Sequence, residues 1–139
     1  MLLPAAPPSG FSPARAVTPR TTDDIFEQIK SASFSFLQNG MTDALFATYP
    51  YNGVEDGAEI AFEVYRFKTH DGAKLQFQNL HGNEGDTWED AYAVVHEYGV
   101  ELVSGRLMVR VTFNYGPEKQ MGRAARYLAR NVLEQVRPR

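Results

Sequence analysis

Two segments of this chain, residues 58–67 and 106–114, alternate apolar and polar side chains so regularly that they constrain its fold more than any other feature. Successive side chains of a strand point to opposite faces, so a period of two predicts a strand with one buried face. Half-buried strands are typical of antiparallel sheets. We therefore expect the two segments to be neighbouring or nearby antiparallel strands of one sheet. The side chains predicted to be buried there are Ile60, Phe62, Val64, Val109 and Val111.

Three further segments carry the period of an amphipathic helix. The first helix is predicted over residues 22–38 and ends at an Asn-Gly pair, which is a common left-handed cap. The second is predicted over residues 69–80, with Thr69 as its N-cap. The third begins at Pro117, because proline is already restrained to the conformation of the first helical position, and it runs to about Val136.

Shorter strand patterns complete the order of elements. Residues 44–49, 91–95 and 98–103 have strand patterns, and a Ser-Gly turn at 104–105 joins the last of them to the segment 106–114 as a hairpin. The predicted order is α-β-β-α-β-β-β-α, in which helices are interleaved with antiparallel hairpins rather than with parallel strands. The predicted fold class is therefore α+β, an antiparallel sheet of about five strands with two to three helices packed on one face.

Proline dominates the first 20 residues, which hold five of the eight prolines of the chain. Because proline fixes φ and has no N–H to donate, this stretch cannot form a helix or a central strand. We predict an extended arm over residues 1–20, followed by a single α+β domain over residues 21–139. Phe11 and Val17 are the apolar side chains through which the arm would dock, either on its own domain or on a partner protein.

Composition excludes several classes of function. The chain has no cysteine, so it forms no disulfide, thiolate nucleophile or zinc finger. Its formal charge of −3 lacks the basic excess typical of nucleic-acid binders. No apolar run reaches the length of about 20 residues that a membrane span needs. There is no Gly-x-Ser-x-Gly elbow, and Ser31, Ser33 and Ser35 fit a polar helix stripe. We predict no cofactor, no nucleic-acid partner, no transmembrane segment and no enzymatic activity.

An acidic loop after the second predicted helix is a weak candidate for a metal site. Asp86, Glu89 and Asp90 supply oxygen atoms of the kind that calcium prefers. Their spacing does not match an EF-hand, and a solvated acidic loop is the favoured interpretation. We therefore predict no metal.

Three histidines are the other conceivable metal ligands. His70 and His81 stand at opposite ends of the second predicted helix, about 16 Å apart at about 1.5 Å of rise per residue, which excludes a site that uses both. A site that pairs His96 with Glu97, or His81 with His96, remains open.

The last predicted helix carries a basic stripe opposite its apolar face. The stripe comprises Lys119, Arg123, Arg126 and Arg130. It is either an ordinary solvated face or a contact for an acidic protein surface or a phospholipid headgroup. Together with the arm, it favours a non-catalytic accessory, assembly or binding domain that acts through contact with a protein partner or with a second copy of the chain.

The alternative is a domain that binds a small apolar ligand between sheet and helices. Its pocket would be lined by Phe34, Tyr49, Tyr65, Phe77 and Trp88. An apolar cavity with a few convergent polar groups would favour this alternative, whereas a closed core favours contact through surfaces.

Short motifs over most of the chain, from about Pro8 onward, resemble an uncharacterised bacterial family of unknown function. The matching pieces are residues 25–29 and 36–40 of the first helix, Tyr49, residues 63–65, residues 71–73 and the hairpin segment 104–111. The chain departs from the family at Lys30-Ser31, where family members tend to carry an Asn-Gly pair. The resemblance implies a setting in the bacterial cell envelope or periplasm, and it implies no activity.

Overall fold

The computed structural model describes residues 3–4, 6–20, 33–52 and 57–136. Within these ranges the chain forms seven strands and three helices. In chain order they are β1 (Arg15–Arg20), α1 (Ser33–Gln38), β2 (Met41–Pro50), β3 (Glu59–Phe67), α2 (His70–His81), β4 (Asp86–Trp88), β5 (Ala91–His96), β6 (Gly99–Ser104), β7 (Leu107–Phe113) and α3 (Glu118–Val136).

All seven strands belong to one antiparallel sheet in the order β1-β2-β3-β7-β6-β5-β4. At its centre β3 pairs with β7, with Val64 opposite Val109 and Phe62 opposite Val111. These four side chains and Ile60 are at most 3% exposed. The α+β class and the pairing expected from the alternation are therefore confirmed.

The helices pack on both faces of the sheet, so the prediction that they pack on one face is wrong. Val64 belongs to the core cluster that contains the buried side chains of α3. The next residue, Tyr65, belongs to a second cluster that includes Phe36 of α1 and Phe77 of α2. Because consecutive strand residues face opposite ways, the two clusters lie on opposite sides of the sheet. The reason is that apolar side chains of β3 point to both faces near the end of the strand. Val64 points to one face, and Tyr65 and Phe67, which are fully buried, point to the other.

The proline-rich segment supplies one of the two strands that the prediction of about five strands missed. β1 contains Pro19 and pairs only with β2, at the edge of the sheet. Proline is tolerated in an edge strand because its missing N–H removes no hydrogen bond between two inner strands. Just before β1, Phe11 is 4% exposed, and its ring centroid lies 5.1 Å from that of Tyr51. The arm therefore lies on its own domain. Val17 is part of β1, and its side chain lies outside the described residues.

The other strand missed by the sequence prediction is β4, in the segment predicted as a polar loop. It pairs with β5 through a two-residue hairpin at Glu89 and Asp90, which have φ values of 51° and 66°. Positive φ at both central residues is the geometry of the tight turn that suits the twist of a hairpin. Arg130 of α3 then covers β4, with its guanidinium carbon 5.3 Å from the centre of the Trp88 ring.

The helix ends follow the capping signals of the sequence. Thr69 accepts a hydrogen bond of 3.0 Å from the Gly72 N–H at the start of α2, as predicted. The Met121 N–H donates to the Pro117 carbonyl in the first turn of α3. Of the predicted first helix, residues 33–38 form α1, and the part over 22–32 lies outside the described residues. None of the helices described is long and apolar enough to cross a membrane.

Candidate functional site

The N-terminal segment and α3 together form a surface cleft of about 480 Å³, here called the arm cleft. It is lined by Pro7, Pro8, Ser9, Gly10, Tyr51, Gln120, Arg123, Ala124 and Tyr127. The two sequence features that predicted a partner contact, the arm and the basic stripe of α3, therefore meet at one place.

Backbone hydrogen bonds hold the arm wall of this cleft. The Ser12 N–H donates to the Pro50 carbonyl at 2.9 Å, and the Asn52 N–H donates to the Gly10 carbonyl at 2.8 Å. On the other side, the Tyr127 hydroxyl donates to the Ala6 carbonyl at 3.3 Å. The arm is thus tied both to the end of β2 and to α3, which fixes the walls relative to each other.

Arg123 is the charged side chain of the arm cleft. It is exposed, and so is Lys119 one turn earlier on α3. Neither forms an ion pair with a residue in the part of the chain that the structure describes. Both cations therefore remain available to an acidic group that enters from outside.

The other members of the predicted contact set are placed differently. Arg130 forms an ion pair with Glu89 at 3.0 Å and stacks on Trp88, so it fastens α3 to β4. Arg126 is half-buried. Phe11 of the arm is a core residue rather than part of the cleft surface.

A second polar feature, which the sequence analysis missed, lies on the α2 face of the sheet and is here called the Glu101 cluster. Its members are Glu63, Tyr65, His81, His96, Glu101 and Arg110. Arg110 of β7 sits between two acids, because it is opposite Glu63 of β3 and opposite Glu101 of β6 in the strand register. Glu63, Arg110 and Glu101 therefore form a row of alternating charge across the three adjacent strands β3, β7 and β6.

Glu101 is 4% exposed and accepts three hydrogen bonds. Its Oε1 accepts from Arg110 Nε at 2.6 Å and from His81 Nε2 at 3.0 Å, and its Oε2 accepts from His96 Nε2 at 2.9 Å. Burial alone would raise the pKa of the Glu101 carboxyl, but the charge and hydrogen bond of Arg110, with His81 and His96, bring that pKa below its usual value. The cluster therefore holds a buried anion that is fully paired.

The tautomer of His96 follows from its second hydrogen bond. The Tyr98 N–H donates to His96 Nδ1 at 3.1 Å, so Nδ1 is an acceptor and the ring proton sits on Nε2, where it is donated to Glu101. At the other end of the row, Tyr65 donates its hydroxyl proton to Glu63. Burial and the Glu63 carboxylate raise the pKa of that hydroxyl far above its usual range.

The candidate metal ligands are brought together only in part. His70 and His81 begin and end α2, as expected, whereas His81 and His96 flank the same carboxylate and use their Nε2 atoms to bind it. Among the described residues, no group of three or more His, Asp or Glu side chains is arranged to hold a metal ion.

The acidic loop that was the weak metal candidate forms the β4–β5 hairpin. Asp86 accepts a hydrogen bond from the Thr87 N–H, and Glu89 pairs with Arg130. Asp90 lines a different cleft, described below.

The five residues predicted to line an apolar pocket do not share one cavity. Tyr49 lies in the core cluster on the α3 face, where burial, with a smaller contribution from Tyr127, raises its pKa to about 12. Tyr65 and Phe77 lie in the cluster on the opposite face. Trp88 is half-buried beside Arg130, and the side chain of Phe34 lies outside the described residues. The alternation of strand side chains between two covered faces separates them.

A second surface cleft, of about 500 Å³, lies between α2 and the ends of β5 and β6 and is here called the α2 cleft. Its lining residues are His70, Lys74, Gln78, Asp90, Ala91, Tyr92, Val103, Ser104 and Gly105. His70 Nδ1 lies 2.6 Å from the Gly105 carbonyl oxygen, which can only accept, so Nδ1 carries the proton and the ring orientation is fixed.

No protein-family model, no curated protein and no solved structure matches this chain. The resemblance to an uncharacterised bacterial family, and the envelope setting that it implies, therefore stay predictions.

Proposed function

We propose that this chain is a non-catalytic domain that acts by protein contact, and that its arm cleft binds an extended acidic segment of a partner protein. The observation that carries the proposal is the meeting of the arm with the basic stripe of α3 at one cleft. That cleft combines rigid rings with the cation Arg123, which pairs with no acid in the described part of the chain.

The lining of the arm cleft suits peptide recognition. Pro7, Tyr51 and Tyr127 present ring surfaces, and such side chains supply contact area with little loss of conformational entropy. Grooves lined by aromatic residues bind extended peptides, and clusters of basic residues recognise acidic motifs. The arm cleft offers ring surfaces and one such cation, Arg123, with the exposed Lys119 one turn away on α3.

Charge sets the chemistry of the partner. Lys119 and Arg123 are exposed along the same side of α3, and neither is neutralised by a described residue. A carboxylate that binds Arg123 forms a charge-assisted hydrogen bond, which is stronger than a neutral one. An acidic segment is therefore favoured over a basic or uncharged one.

A selection from a random peptide library on the immobilised protein tests the proposal. We expect the selected peptides to be enriched in Asp and Glu, and a synthetic example to shift amide resonances of residues 7–10 and 120–127 in a ¹H–¹⁵N spectrum. Arg123→Glu should weaken binding by about tenfold or more, because it replaces a charge-assisted hydrogen bond with repulsion.

Arg106→Glu is the matched control, because Arg106 is also exposed but lies in the β6–β7 turn, away from the arm cleft. It should leave peptide affinity unchanged. Peptides without an acidic bias, or equal losses in the two variants, would contradict the proposal.

A further inference from the structure

Residues of opposite charge line the α2 cleft. Lys74 lies on its α2 side, and Asp90 lies at the β4–β5 turn. No ion pair within 4.0 Å joins them, and neither side chain bonds to another residue that the structure describes. One cation and one anion are therefore held apart across a concave surface.

The floor between these charges is apolar. Val103 is buried, and Tyr92 is half-buried with its ring centroid 5.5 Å from that of Phe77. The Tyr92 hydroxyl accepts a hydrogen bond of 3.1 Å from the Gly85 N–H, which fixes the ring. The floor is therefore rigid before any ligand arrives.

Two further polar side chains stand at the rim. Gln78 follows Lys74 by one helical turn, and Ser104 lies at the end of β6. Neither side chain bonds to another residue in the described part of the chain. A cleft of a few hundred Å³ with an apolar floor and a few convergent polar groups is the usual form of a small-molecule site.

We propose that the α2 cleft binds a small zwitterion with an apolar body, of the kind that a free aliphatic amino acid represents. Its carboxylate pairs with Lys74, its ammonium pairs with Asp90, and its side chain rests on Tyr92 and Val103. Such a ligand satisfies both charges at once, which neither a simple anion nor a simple cation does. This site is separate from the arm cleft and shares no lining residue with it.

The test is a ¹H–¹⁵N titration of the whole chain with three probes that differ only at the charged ends. Leucine carries both charges, leucinamide lacks the carboxylate, and N-acetyl-leucine lacks the ammonium. We expect leucine to bind in the millimolar range and to shift amides of residues 74–78, 90–92 and 103–105. Each blocked probe should bind about fivefold more weakly or worse, because one wall charge then has no partner.

Two variants test which side chain of the cleft binds which charged end of the ligand. In Lys74→Gln, leucine should lose its advantage over leucinamide but keep its advantage over N-acetyl-leucine. In Asp90→Asn, the reverse should hold, and asparagine also tolerates the positive φ of this position. Both positions are exposed, so neither change threatens the fold.

Lys68→Gln and Asp71→Asn are the controls, because both residues are exposed and lie outside the α2 cleft. They should leave all three affinities unchanged. The proposal is overturned by an absence of shifts up to about 20 mM leucine, by shifts that map elsewhere, or by equal binding of the blocked and unblocked probes.

Discussion

Replacing Glu101 by glutamine removes the central charge of the Glu101 cluster while keeping its shape. The carboxylate uses Oε1 for Arg110 and His81, and Oε2 for His96. A glutamine offers one acceptor oxygen and one NH₂ group. Whichever way the amide is turned, at least one donor faces another donor, and His96 cannot adapt because its Nδ1 already accepts from Tyr98.

The expected loss follows from the burial of these groups. Removing one partner of a buried ion pair costs about 3–5 kcal/mol, because the other charge is left without compensation. Here the side chains of Arg110 and His96 are 32% and 31% exposed, so water replaces part of what is lost. Arg110 also keeps Glu63 at 4.0 Å. We therefore expect Glu101→Gln to lower the free energy of unfolding by about 2–4 kcal/mol.

The loss of stability in Glu101→Gln should become smaller as the pH falls. The pKa of Glu101 in the folded protein lies below its ordinary value of 4.5, so its contribution to stability is complete above that value and disappears as the pH falls through the lower folded pKa. Glutamine does not titrate. The difference in stability between the parent and Glu101→Gln should therefore be full at pH 7 and should shrink below pH 4.5.

Urea unfolding at a series of pH values measures both quantities. Glu97→Gln is the matched control, because Glu97 is exposed in the β5–β6 turn, and it should change stability by no more than about 0.5 kcal/mol. If Glu101→Gln stayed within about 1 kcal/mol of the parent, or its deficit did not shrink in acid, the cluster would not stabilise the fold as we argue.

Two further changes test how the chain is held together, both by urea unfolding. Phe11→Ala should cost about 3 kcal/mol, because it empties the core position that the arm fills, and a loss below about 1 kcal/mol would mean that the arm contributes little to the fold. Gly99→Ala should destabilise by about 2 kcal/mol or more, since a Cβ there would lie 2.0 Å from the Val111 carbonyl oxygen at a φ of 144°. Gly105→Asn, in open space at a φ of 56°, should cost less than about 1 kcal/mol, and equal losses at the two glycines would refute the steric argument.

The central pairing was predictable from sequence because the pattern of β3 and β7 is strong on one face. The burial of the second face of the sheet could not be predicted, because the sequence pattern on that face is ambiguous. Tyr65 is apolar in its ring and polar at its hydroxyl, so it fits a half-exposed position as well as a buried one. Only the placement of α1 and α2 over it decides between the two, and that depends on contacts between residues far apart in the chain.

The edge strands were missed for a related reason. β1 contains proline and β4 begins with an acid, so local propensity disfavours a strand in both. Each is a strand because a neighbour offers a free edge, β2 for one and β5 for the other. The arm cleft could not be predicted for the same reason, because it forms only where the arm, leading into β1, lies beside α3.

The Glu101 cluster, by contrast, left a signal in the sequence. Glu101 stands in the run Val-Glu-Leu-Val, where one charge interrupts buried side chains. If Gly105 and Arg106 form the two central residues of the hairpin turn, counting outward pairs Ser104 with Leu107, and four steps from the turn it pairs Glu101 with Arg110. The register has this pairing. An acid opposite a base within an apolar hairpin predicts a buried ion pair, because neither charge is stable there alone. What the count could not predict is the pair of histidines, because His81 reaches the carboxylate only after α2 has packed on the sheet.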